Sequence, residues 1–518
     1  MSSFLGIEFG STRIKAVLID ERTAVLATGS HTWENQLVDG LWSYALDDVW
    51  AGVQDAYANL VADYKAVNGE APEIDGIGVS AMMHGYLAFD ADGELLAPFR
   101  TWRNTNTGPA AEALTEALDF TIPLRWSIAH LYQAVLNGEP HVPKIDFITS
   151  LAGYVHWVLT GEKVLGIGDA SGLLPIDAAT HDWDMIRLAK AQVLLDQKSA
   201  GIDLRQILPG ILDAGEDAGR LTPEGAKLLD PTGELQPGIM FCPPEGDAGT
   251  GMVATNAVRP RTGNVSAGTS IFAMIVLERP LIRLHPEIDM VTTPSGDPVA
   301  MVHCNNGASE IDAWGKVFAQ FAAGAGCDVD DATVFGTLFN AALDGETDGG
   351  GLIAYNYLAG EPITALTEGR PVVARTPDSR LTLPNLARTL IMSSFATLSL
   401  GMRILDDEGV GVDAMFAHGG VFKTPVVAQR LLAAALDTPV TVGDQASEGG
   451  AWGMAVLAAF AQVADTKSLP DFLARRVFAD AAVVTLSPDP DDVAGYRRFL
   501  ASFESGLPVQ AAAIEAWK

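Results

Sequence analysis

The sequence predicts an α/β protein built from two similar halves. Its 518 residues exceed what one hydrophobic core usually organises, so two or more domains are expected. Strand-like apolar runs alternate with longer helical patterns, which is typical of the α/β class. A short pattern near the N-terminus also recurs about half a chain later. We predict an N-terminal domain over residues 1–255 and a C-terminal domain over residues 256–518.

The repeated pattern is the strongest local signal. Its first copy is IEFGSTRIKAVLI (Ile7 to Ile19), and its second is VSAGTSIFAMIVL (Val265 to Leu277). In both, apolar runs flank a glycine and two hydroxyl residues, which predicts a strand, a tight turn and a strand. Two glycine hairpins could share this pattern by coincidence. Recurrence at half-chain spacing instead favours a duplicated fold whose two turns face each other across a cleft.

Local patterns predict the other elements. Residues 74–102 contain two strand-like runs, and an Asp-Gly turn reverses the chain before Trp102. Residues 151–161 and 386–405 have helical spacing, and the second helix is apolar nearly all round, which predicts burial. The stretch GVDAMFAHGG predicts a strand and a glycine turn. A helix follows, with Thr424 as its N-cap and Pro425 as its first residue.

Composition argues against several classes of protein. A net charge of −32 opposes binding to nucleic acid or to an anionic membrane, although an acidic surface can also serve solubility alone. The three cysteines form no CxxC pair, which argues against a disulfide framework or a zinc site and fits a reducing cytoplasm. The N-terminus has no signal-peptide pattern, and no apolar run is long enough to span a membrane. We therefore expect a cytoplasmic protein with a small-molecule substrate.

Both glycine–hydroxyl turns suit a phosphate. Backbone amides and hydroxyls in a tight turn can bind phosphate oxygens, and a nearby lysine adds a point charge. The candidate residues are Gly10, Ser11, Thr12 and Lys15 in the first copy, and Gly268, Thr269 and Ser270 in the second. Either turn alone is a weak signal. Together they could hold the phosphate chain of one nucleotide.

Asp247 is the candidate general base. It lies in the glycine-rich stretch PPEGDAGTGM, just before the second copy of the pattern. A lone carboxylate there could accept a proton from a substrate hydroxyl. An aspartate in a glycine-rich loop more often forms an Asx turn. Its position between the halves favours the catalytic interpretation.

A few residues are candidates for a small-molecule pocket. Met83 and His84 end a strand-like run, and Trp102 and Asn104 follow the next one. A histidine beside a glycine, or a tryptophan, is more often structural. The glycine turn in AHGGVFKTP suits the approach of a nucleotide base or ribose. The helix predicted for residues 446–459 is rich in small residues, which indicates either helix packing or an adenine pocket.

Together these motifs resemble the FGGY family of carbohydrate kinases, within the hexokinase–actin–Hsp70 superfamily. GIEFGSTRIKAVLID and GNVSAGTS are similar to the family's two phosphate motifs, and GGVFKTP is similar to its adenosine motif. EGDAGTGM resembles the segment that holds the catalytic aspartate. GVSAMMHG, with WRN after it, resembles the sugar-binding region of the xylulose kinase group.

The resemblance implies two ribonuclease-H-like domains with a cleft between them. It implies transfer of the γ-phosphoryl group of ATP, with Mg²⁺, to a primary hydroxyl of a small ketose, and a pentulose such as xylulose is the expected acceptor. Ribulose, erythritol, glycerol and gluconate are alternatives, as is an ATPase or a sugar sensor on the same fold. A homodimer is a candidate assembly.

The resemblance also implies roles for individual residues. Asp247 would be the base and would contact the acceptor together with Met83, His84, Trp102 and Asn104. Glu8 would act on the metal through water. To the two turns and Lys15, the resemblance adds five nucleotide-binding residues, which are Gly307, Gly419, Gly420, Lys423 and Thr424. The chain departs from the usual family residues at four positions, Glu8, Met82, Asn104 and Ala248.

Overall fold

The fold is known from a computed structural model that describes residues 2–443 and 449–517. The first three residues of the predicted small-residue helix, Ala446 to Glu448, lie outside the described part. No helix in the described part is long and apolar enough to cross a membrane.

Most strands are short and lie in two large sheets. The strands are β1 (Ser3–Phe9), β2 (Arg13–Asp20), β3 (Val25–Thr32), β4 (Gln36–Val38), β5 (Leu41–Ser43), β6 (Gly76–Ala81), β7 (Leu87–Phe89), β8 (Phe147–Thr149), β9 (Val164–Gly166), β10 (Ile176–Asp177), β11 (Asp182–Trp183), β12 (Gly210–Leu212), β13 (Met240–Phe241), β14 (Glu245–Gly246), β15 (Thr262–Ala267), β16 (Ile271–Val276), β17 (Ile288–Thr292), β18 (Pro298–Cys304), β19 (Leu352–Tyr355), β20 (Val372–Arg375), β21 (Ala414–His418), β22 (Val440–Gly443) and β23 (Val483–Leu486).

Helices occur between strands throughout the chain. The α-helices are α1 (Leu46–Asn68), α2 (Gly108–Leu118), α3 (Ser127–Leu136), α4 (Leu151–Thr160), α5 (Ile167–Ala170), α6 (Met185–Gln197), α7 (Leu204–Ile207), α8 (Pro223–Leu229), α9 (Asp247–Ala254), α10 (Ser309–Gly324), α11 (Asp331–Ala341), α12 (Leu383–Asp407), α13 (Val427–Leu436), α14 (Gly449–Ala461), α15 (Leu469–Phe472), α16 (Pro490–Ser505) and α17 (Leu507–Ala516). Short turns of 3-10 helix span Val142–Lys144, Ala342–Asp344, Gly349–Gly351, Pro362–Thr364, Gly420–Lys423 and Ala464–Thr466, and a π-helical turn spans Leu473–Val477. The α/β class is confirmed.

The chain forms two compact units, each discontinuous in sequence. Unit 1 consists of Met1–Val258, Asp289–Val299 and Gln445–Ala481, and unit 2 consists of Arg259–Ile288, Ala300–Asp444 and Ala482–Lys518. The chain first leaves unit 1 three residues beyond the predicted boundary and then returns to it twice. The proposed domain limits of 1–255 and 256–518 stay a prediction.

Unit 1 is built around a mixed sheet in the order β13-β6-β1-β2-β3, with β14 also paired to β6. β1 and β2 are antiparallel, whereas β1, β6 and β14 run parallel to one another. Phe9, Ala81 and Gly246 are aligned across these three strands. The segments that follow the three strands therefore leave the sheet at one edge. A large apolar core packs beneath this sheet and against α1 and α4.

Unit 2 contains the neighbouring strands β18-β16-β15-β21-β22-β23. β15 and β16 are antiparallel, and β15 pairs with β21 in parallel, with Ser266 opposite His418. Each copy of the repeated pattern therefore forms an antiparallel hairpin beside a parallel strand. The strand–turn–strand prediction is confirmed in both units.

Other predicted elements also form. α4 begins after Ser150, whose hydroxyl accepts the Gly153 amide, and it ends at Gly161 in the left-handed conformation. α12 is longer than predicted and mostly buried, as its nearly uniform apolarity requires. The predicted strands in residues 74–102 are β6 and β7.

The predicted start of α13 is wrong. The helix begins at Val427, so neither Thr424 is its N-cap nor Pro425 its first residue. Val426 lies between them and the helix with φ +75°, and the Val427 amide donates to the Pro425 carbonyl at 2.9 Å. This tight turn moves the Thr424 side chain away from the first helical amides, which an N-cap must reach.

Candidate functional site

The candidate site in unit 1 lies at the edge where the three parallel strands end. The turn at Gly10 follows β1, Met83 and His84 follow β6, and Asp247 follows β14 as the first residue of α9. Ligands of open α/β sheets bind outside the carboxyl ends of parallel strands. Strand pairing thus brings together residues that lie far apart in the sequence.

Asp247 is held by the strand end beside it. The Met83 amide donates to Asp247 Oδ1 at 3.1 Å. Burial raises the pKa of this carboxyl, while the amides of Met83 and Ala248 and the Arg125 guanidinium act in the opposite direction. The residue as a whole nevertheless keeps an accessible surface. The carboxylate is fixed by an amide and more basic than usual, and these are properties of a general base.

Glu8 lies on β1, directly opposite Lys15 on β2. Burial raises the pKa of Glu8 to about 7, and the negative charge of Asp247 adds to the effect. Lys15 and an amide of Ala451 act in the opposite direction. Two carboxylates that disfavour each other's ionisation would both be stabilised by a cation between them.

The residues present fit a cation bound mainly by other ligands. Within residues 2–443 and 449–517, no group of three or more His, Cys, Asp or Glu side chains could hold a metal. Mg²⁺ commonly keeps several waters and takes one or two carboxylates together with substrate phosphates. Glu8, acting through water, matches such a donor set.

Two buried acids behind Asp247 were missed by sequence reasoning. The Gly168 amide donates to Glu245 Oε1 at 3.3 Å, and the Ser150 hydroxyl donates to Asp169. Burial raises the pKa of Asp169 to about 7 and that of Glu245 well above its ordinary value. Burial thus favours the protonated form of Glu245. The only sequence signal was its spacing, two residues before Asp247 in a glycine-rich stretch.

His84 is buried at the end of β6 with φ +71°. Its Nδ1 donates to the Gly172 carbonyl at 3.4 Å. Its ring stacks on that of Trp126, with the two ring centroids 6.4 Å apart. A side chain at Gly172 would place its Cβ 2.7 Å from this Nδ1, so the close approach requires glycine. Burial and Arg125 lower the pKa of His84 well below its usual range. The neutral ring leaves Nε2 as an acceptor for a hydroxyl.

The other predicted acceptor residues differ in their contacts. Met83 packs against Gly246 and Gly172. Trp102 is 40% exposed, and its Nε1 donates to Ser11 Oγ at 3.2 Å, which sets it beside the first turn.

Asn104 is engaged within its own loop. Its Nδ2 donates to the carbonyls of Trp42 and Thr101 at 2.8 and 3.0 Å, and its Oδ1 accepts the Trp42 amide at 2.8 Å. Both amide protons are used, and the residue is buried. These contacts hold Asn104 in its loop, and its predicted contact with the acceptor stays a prediction.

Arg125 is a further site residue that the sequence did not reveal. It forms an ion pair with Asp289, and its charge acts on the pKa of both Asp247 and His84. A single arginine in an apolar stretch carries no recognisable motif. Arg125 supplies positive charge at an edge that otherwise carries several acids.

The first turn has all three of its carbonyls bound. Trp33 Nε1 donates to the Gly10 carbonyl at 2.8 Å, the Tyr44 hydroxyl donates to the Ser11 carbonyl at 2.6 Å, and the Trp33 amide donates to the Thr12 carbonyl at 3.2 Å. The Gly10 amide closes the hairpin on the Arg13 carbonyl at 3.0 Å. Gly10 thus shapes the turn, and the amides of Ser11 and Thr12 are the candidate phosphate donors.

The second turn, in unit 2, is bound through its carbonyls in the same way. The Gly307 amide donates to the Thr269 carbonyl at 2.7 Å, and the Ala308 amide donates to the Gly268 carbonyl at 2.8 Å. The Gly268 amide closes its own hairpin on the Ser270 carbonyl at 3.0 Å. The candidate phosphate donors here are the amides of Thr269 and Ser270, and Gly307 supports the turn from behind.

The remaining nucleotide candidates follow β21. Gly419 and Gly420 come directly after this strand, and β21 is parallel to β15, which leads into the second turn. The two glycine turns therefore share one edge of the sheet. Lys423 ends the 3-10 turn and is exposed, and Thr424 follows it in extended conformation.

Known proteins resemble both parts of the chain. The profile of the N-terminal domain of the FGGY family of carbohydrate kinases matches residues 3–234, and that of the C-terminal domain matches residues 263–462. The xylulose kinase of Escherichia coli K12 is 24% identical over 285 residues, which cover 52% of this chain and 53% of the relative. The chain thus spans about half the length of this curated relative.

Solved structures match over the full length. A structure titled as a xyloylose kinase from Brucella ovis superposes with a TM-score of 0.79 at 20% identity and covers 100% of both chains. A gluconate kinase from Lactobacillus acidophilus gives the same TM-score and coverage at 18% identity. These matches show the fold, two ribonuclease-H-like domains of the actin and hexokinase type. Because the profiles of both domains of one family match its sequence, the chain belongs to the FGGY family of carbohydrate kinases.

Proposed function

We propose that the protein transfers the γ-phosphoryl group of ATP to a primary hydroxyl of a small ketose, most specifically a pentulose such as xylulose. The observation that carries the proposal is the sheet edge of unit 1. There a fixed carboxylate, Asp247, shares the strand ends with a turn suited to phosphate and with the imidazole of His84. A carboxylate, phosphate donors and a hydroxyl acceptor are the parts that phosphoryl transfer to an alcohol requires.

In the proposed reaction, Asp247 accepts the proton of the acceptor hydroxyl. The oxygen of that hydroxyl forms a bond to the γ-phosphorus, the bond to the bridging oxygen breaks, and ADP leaves. The Met83 amide holds Asp247 in position for this proton. Because the transition state needs little covalent help, positioning and charge neutralisation supply most of the rate.

Mg²⁺ bound with ATP would neutralise charge on the phosphates. Glu8, through water, is the residue of this chain that would hold it. Burial and the neighbouring charge make the ionised form of Glu8 costly without a cation. The amides of Ser11, Thr12, Thr269 and Ser270 would bind phosphate oxygens, with Lys15 as an added charge.

The acceptor is proposed to contact His84, Met83 and Trp102. His84 Nε2 would accept a hydrogen bond from a sugar hydroxyl, while Met83 and Trp102 supply apolar surface. The xylulose kinase relatives and the similarity of the GVSAMMHG region to that group support a pentulose. Ribulose, erythritol, glycerol and gluconate remain the competing acceptors.

A panel of acceptors with ATP tests the proposal. We expect a higher kcat/KM for pentuloses than for erythritol, glycerol or gluconate. His84→Ala should raise the pentulose KM at least tenfold and leave the ATP KM nearly unchanged, because a site built to bind a hydroxyl loses much when its partner is removed.

His156→Ala is the matched control for this variant. His156 lies on α4 and is also buried, and its Nε2 donates to the Ala218 carbonyl at 2.9 Å. If both variants alter the pentulose KM equally, or if the wild type acts on glycerol alone, the proposed acceptor is wrong.

A further inference from the structure

We propose that Trp33 and Tyr44 are positioning residues for the phosphate-binding turn. They hold its carbonyl groups on one side, so that its amides are presented to the phosphates of a nucleotide on the other. The inference rests on the proposed function, because it assigns these residues to the ATP half of the reaction. Neither side chain touches a reacting atom.

The two residues bind three consecutive carbonyls. The Trp33 indole donates to the Gly10 carbonyl at 2.8 Å, and the Tyr44 hydroxyl donates to the Ser11 carbonyl at 2.6 Å. The Trp33 amide donates to the Thr12 carbonyl at 3.2 Å. Trp33 lies between β3 and β4, and Tyr44 lies between β5 and α1. Both donors thus reach the turn from outside its own hairpin.

Peptide geometry converts these contacts into an orientation of the amides. In a trans peptide the carbonyl of one residue and the amide of the next point in opposite directions, and the described chain contains no cis peptide. Fixing the Gly10 and Ser11 carbonyls therefore directs the amides of Ser11 and Thr12 away from the aromatic pair. Within residues 2–443 and 449–517, these two amides donate to no protein acceptor.

The donors themselves are rigid. The Trp33 and Tyr44 rings stack with centroids 4.1 Å apart and planes at 25°. Phe9 and Phe99 flank the pair at 6.2 and 6.4 Å. Trp33 is 6% exposed and Tyr44 is 2% exposed, so neither ring can change rotamer without disturbing the core. A turn held by such donors needs little ordering when phosphate binds.

Tyr44→Phe is the sharpest test, because it removes one hydroxyl and keeps the stacked ring. Its matched control is Tyr355→Phe in unit 2. Tyr355 is also 2% exposed, and its hydroxyl donates to the Phe503 carbonyl at 2.7 Å. Both variants should melt at a somewhat lower temperature than the wild type. Only Tyr44→Phe should raise the ATP KM and the ATP dissociation constant, by about five- to tenfold, which is the usual effect of losing one hydrogen bond.

Two further readouts separate positioning from general damage. The acceptor KM and the affinity for adenosine, which has no phosphate, should stay within twofold of the wild type in Tyr44→Phe. Trp33→Phe should repeat the phosphate-specific loss, with Trp183→Phe as its control. Trp183 is 7% exposed, and its Nε1 also donates to a backbone carbonyl, that of Pro209, at 3.1 Å.

The possible results separate the positioning role of Trp33 and Tyr44 from the proposed kinase activity. Equal changes in ATP affinity for Tyr44→Phe and Tyr355→Phe would overturn the positioning role while leaving the kinase intact. An equal loss of acceptor and ATP affinity in Tyr44→Phe would overturn it as well. A wild-type protein that binds no ATP would remove both proposals together.

Discussion

Asp247 and Glu8 are neighbouring carboxylates that we assign to different tasks. Asp247 begins a helix, receives the Met83 amide and keeps an accessible surface. Glu8 lies within the sheet beside Lys15 and is closely surrounded by protein. The first environment suits proton transfer to and from a substrate, and the second suits interaction with a cation.

Asp247→Asn should retain the fold and ATP binding but lower kcat by roughly two to four decades, the usual cost of losing a general base. The reason is that an amide cannot accept the proton of the acceptor hydroxyl. Asp217→Asn, at an exposed aspartate of the same unit, serves as the control. A kcat near that of the wild type would show that Asp247 is not the base.

Glu8→Gln should stabilise the protein at high pH. The pKa of Glu8 is raised from 4.5 to about 7 in the folded state, so the folded state binds more protons than the unfolded state between these values. The free energy of unfolding contributed by Glu8 therefore falls as the pH rises through this window, by up to about 3 kcal/mol. Thermal melts of variant and wild type should agree near pH 4.5 and diverge by pH 8.

The same variant tests the metal role. Glu8→Gln should shift the Mg²⁺ titration of activity to higher concentration, whereas Glu8→Asp should be tolerated. A gap in melting temperature that does not depend on pH would contradict the burial argument. An unchanged Mg²⁺ titration would separately remove the metal role.

Single residues were predictable where a motif surrounds them. Asp247 stands in a glycine-rich stretch beside a repeated pattern, and the structure places it at the strand ends with Met83 and His84. Glu245 lies in the same stretch, but no motif indicated a role for it, and Arg125 has no motif around it. The significance of both arises only when other strands and loops pack around them. The motif around Asn104 indicated a ligand contact but not its hydrogen bonds to the backbone of Trp42 and Thr101.

The carbonyl groups of the two glycine turns are bound by different kinds of partner. In unit 1 aromatic side chains bind the turn carbonyls, and in unit 2 backbone amides before α10 do so. The segment that binds the second turn is itself held by Asn356, whose Nδ2 donates to the carbonyls of Asn306 and Gly307 at 3.2 and 2.7 Å. Each turn therefore depends on a segment that is distant in sequence.

Asn356→Ala should raise the ATP KM about three- to tenfold, because Gly307 loses the contact that fixes it against the turn, and should cost about 1–3 kcal/mol of stability. Gln429→Ala is the control, since the Gln429 amide also donates to two backbone carbonyls, those of Val440 and Val484. Steady-state kinetics and denaturation of both variants check this. If Asn356→Ala and Gln429→Ala lose similar stability and have similar ATP KM values, Asn356 does not position the second turn.

Hairpins and long helices followed from the sequence because their signals are local. Glycine and hydroxyl residues between apolar runs specify a turn wherever the fold puts it. The start of α13 did not follow, because a single residue with positive φ, Val426, interrupts an otherwise good capping sequence. The partners of the turn carbonyls could not be found in advance, since nothing near the first turn points to Trp33 or Tyr44.

The two-part organisation was visible as a repeat, but its discontinuity was not. Residues 445–481 belong to unit 1 although unit 2 precedes and follows them. Their small residues let α14 approach β1 closely, and a side chain at Gly6 would collide with the backbone of Ala451. The sequence was compatible with either helix packing or an adenine pocket for this helix, and these contacts support helix packing. Such complementarity becomes visible only once both surfaces are folded.

At the scale of the whole molecule, we propose that the protein transfers a phosphoryl group from ATP to a sugar hydroxyl. The most direct measurement is ³¹P NMR of the purified protein with ATP, Mg²⁺ and D-xylulose, compared with a sample that lacks the sugar. We predict ADP and a new phosphomonoester resonance in equal amounts, formed only when the sugar is present and absent with Asp247→Asn. Release of inorganic phosphate independent of sugar, or no turnover with any acceptor of the panel, would contradict the account.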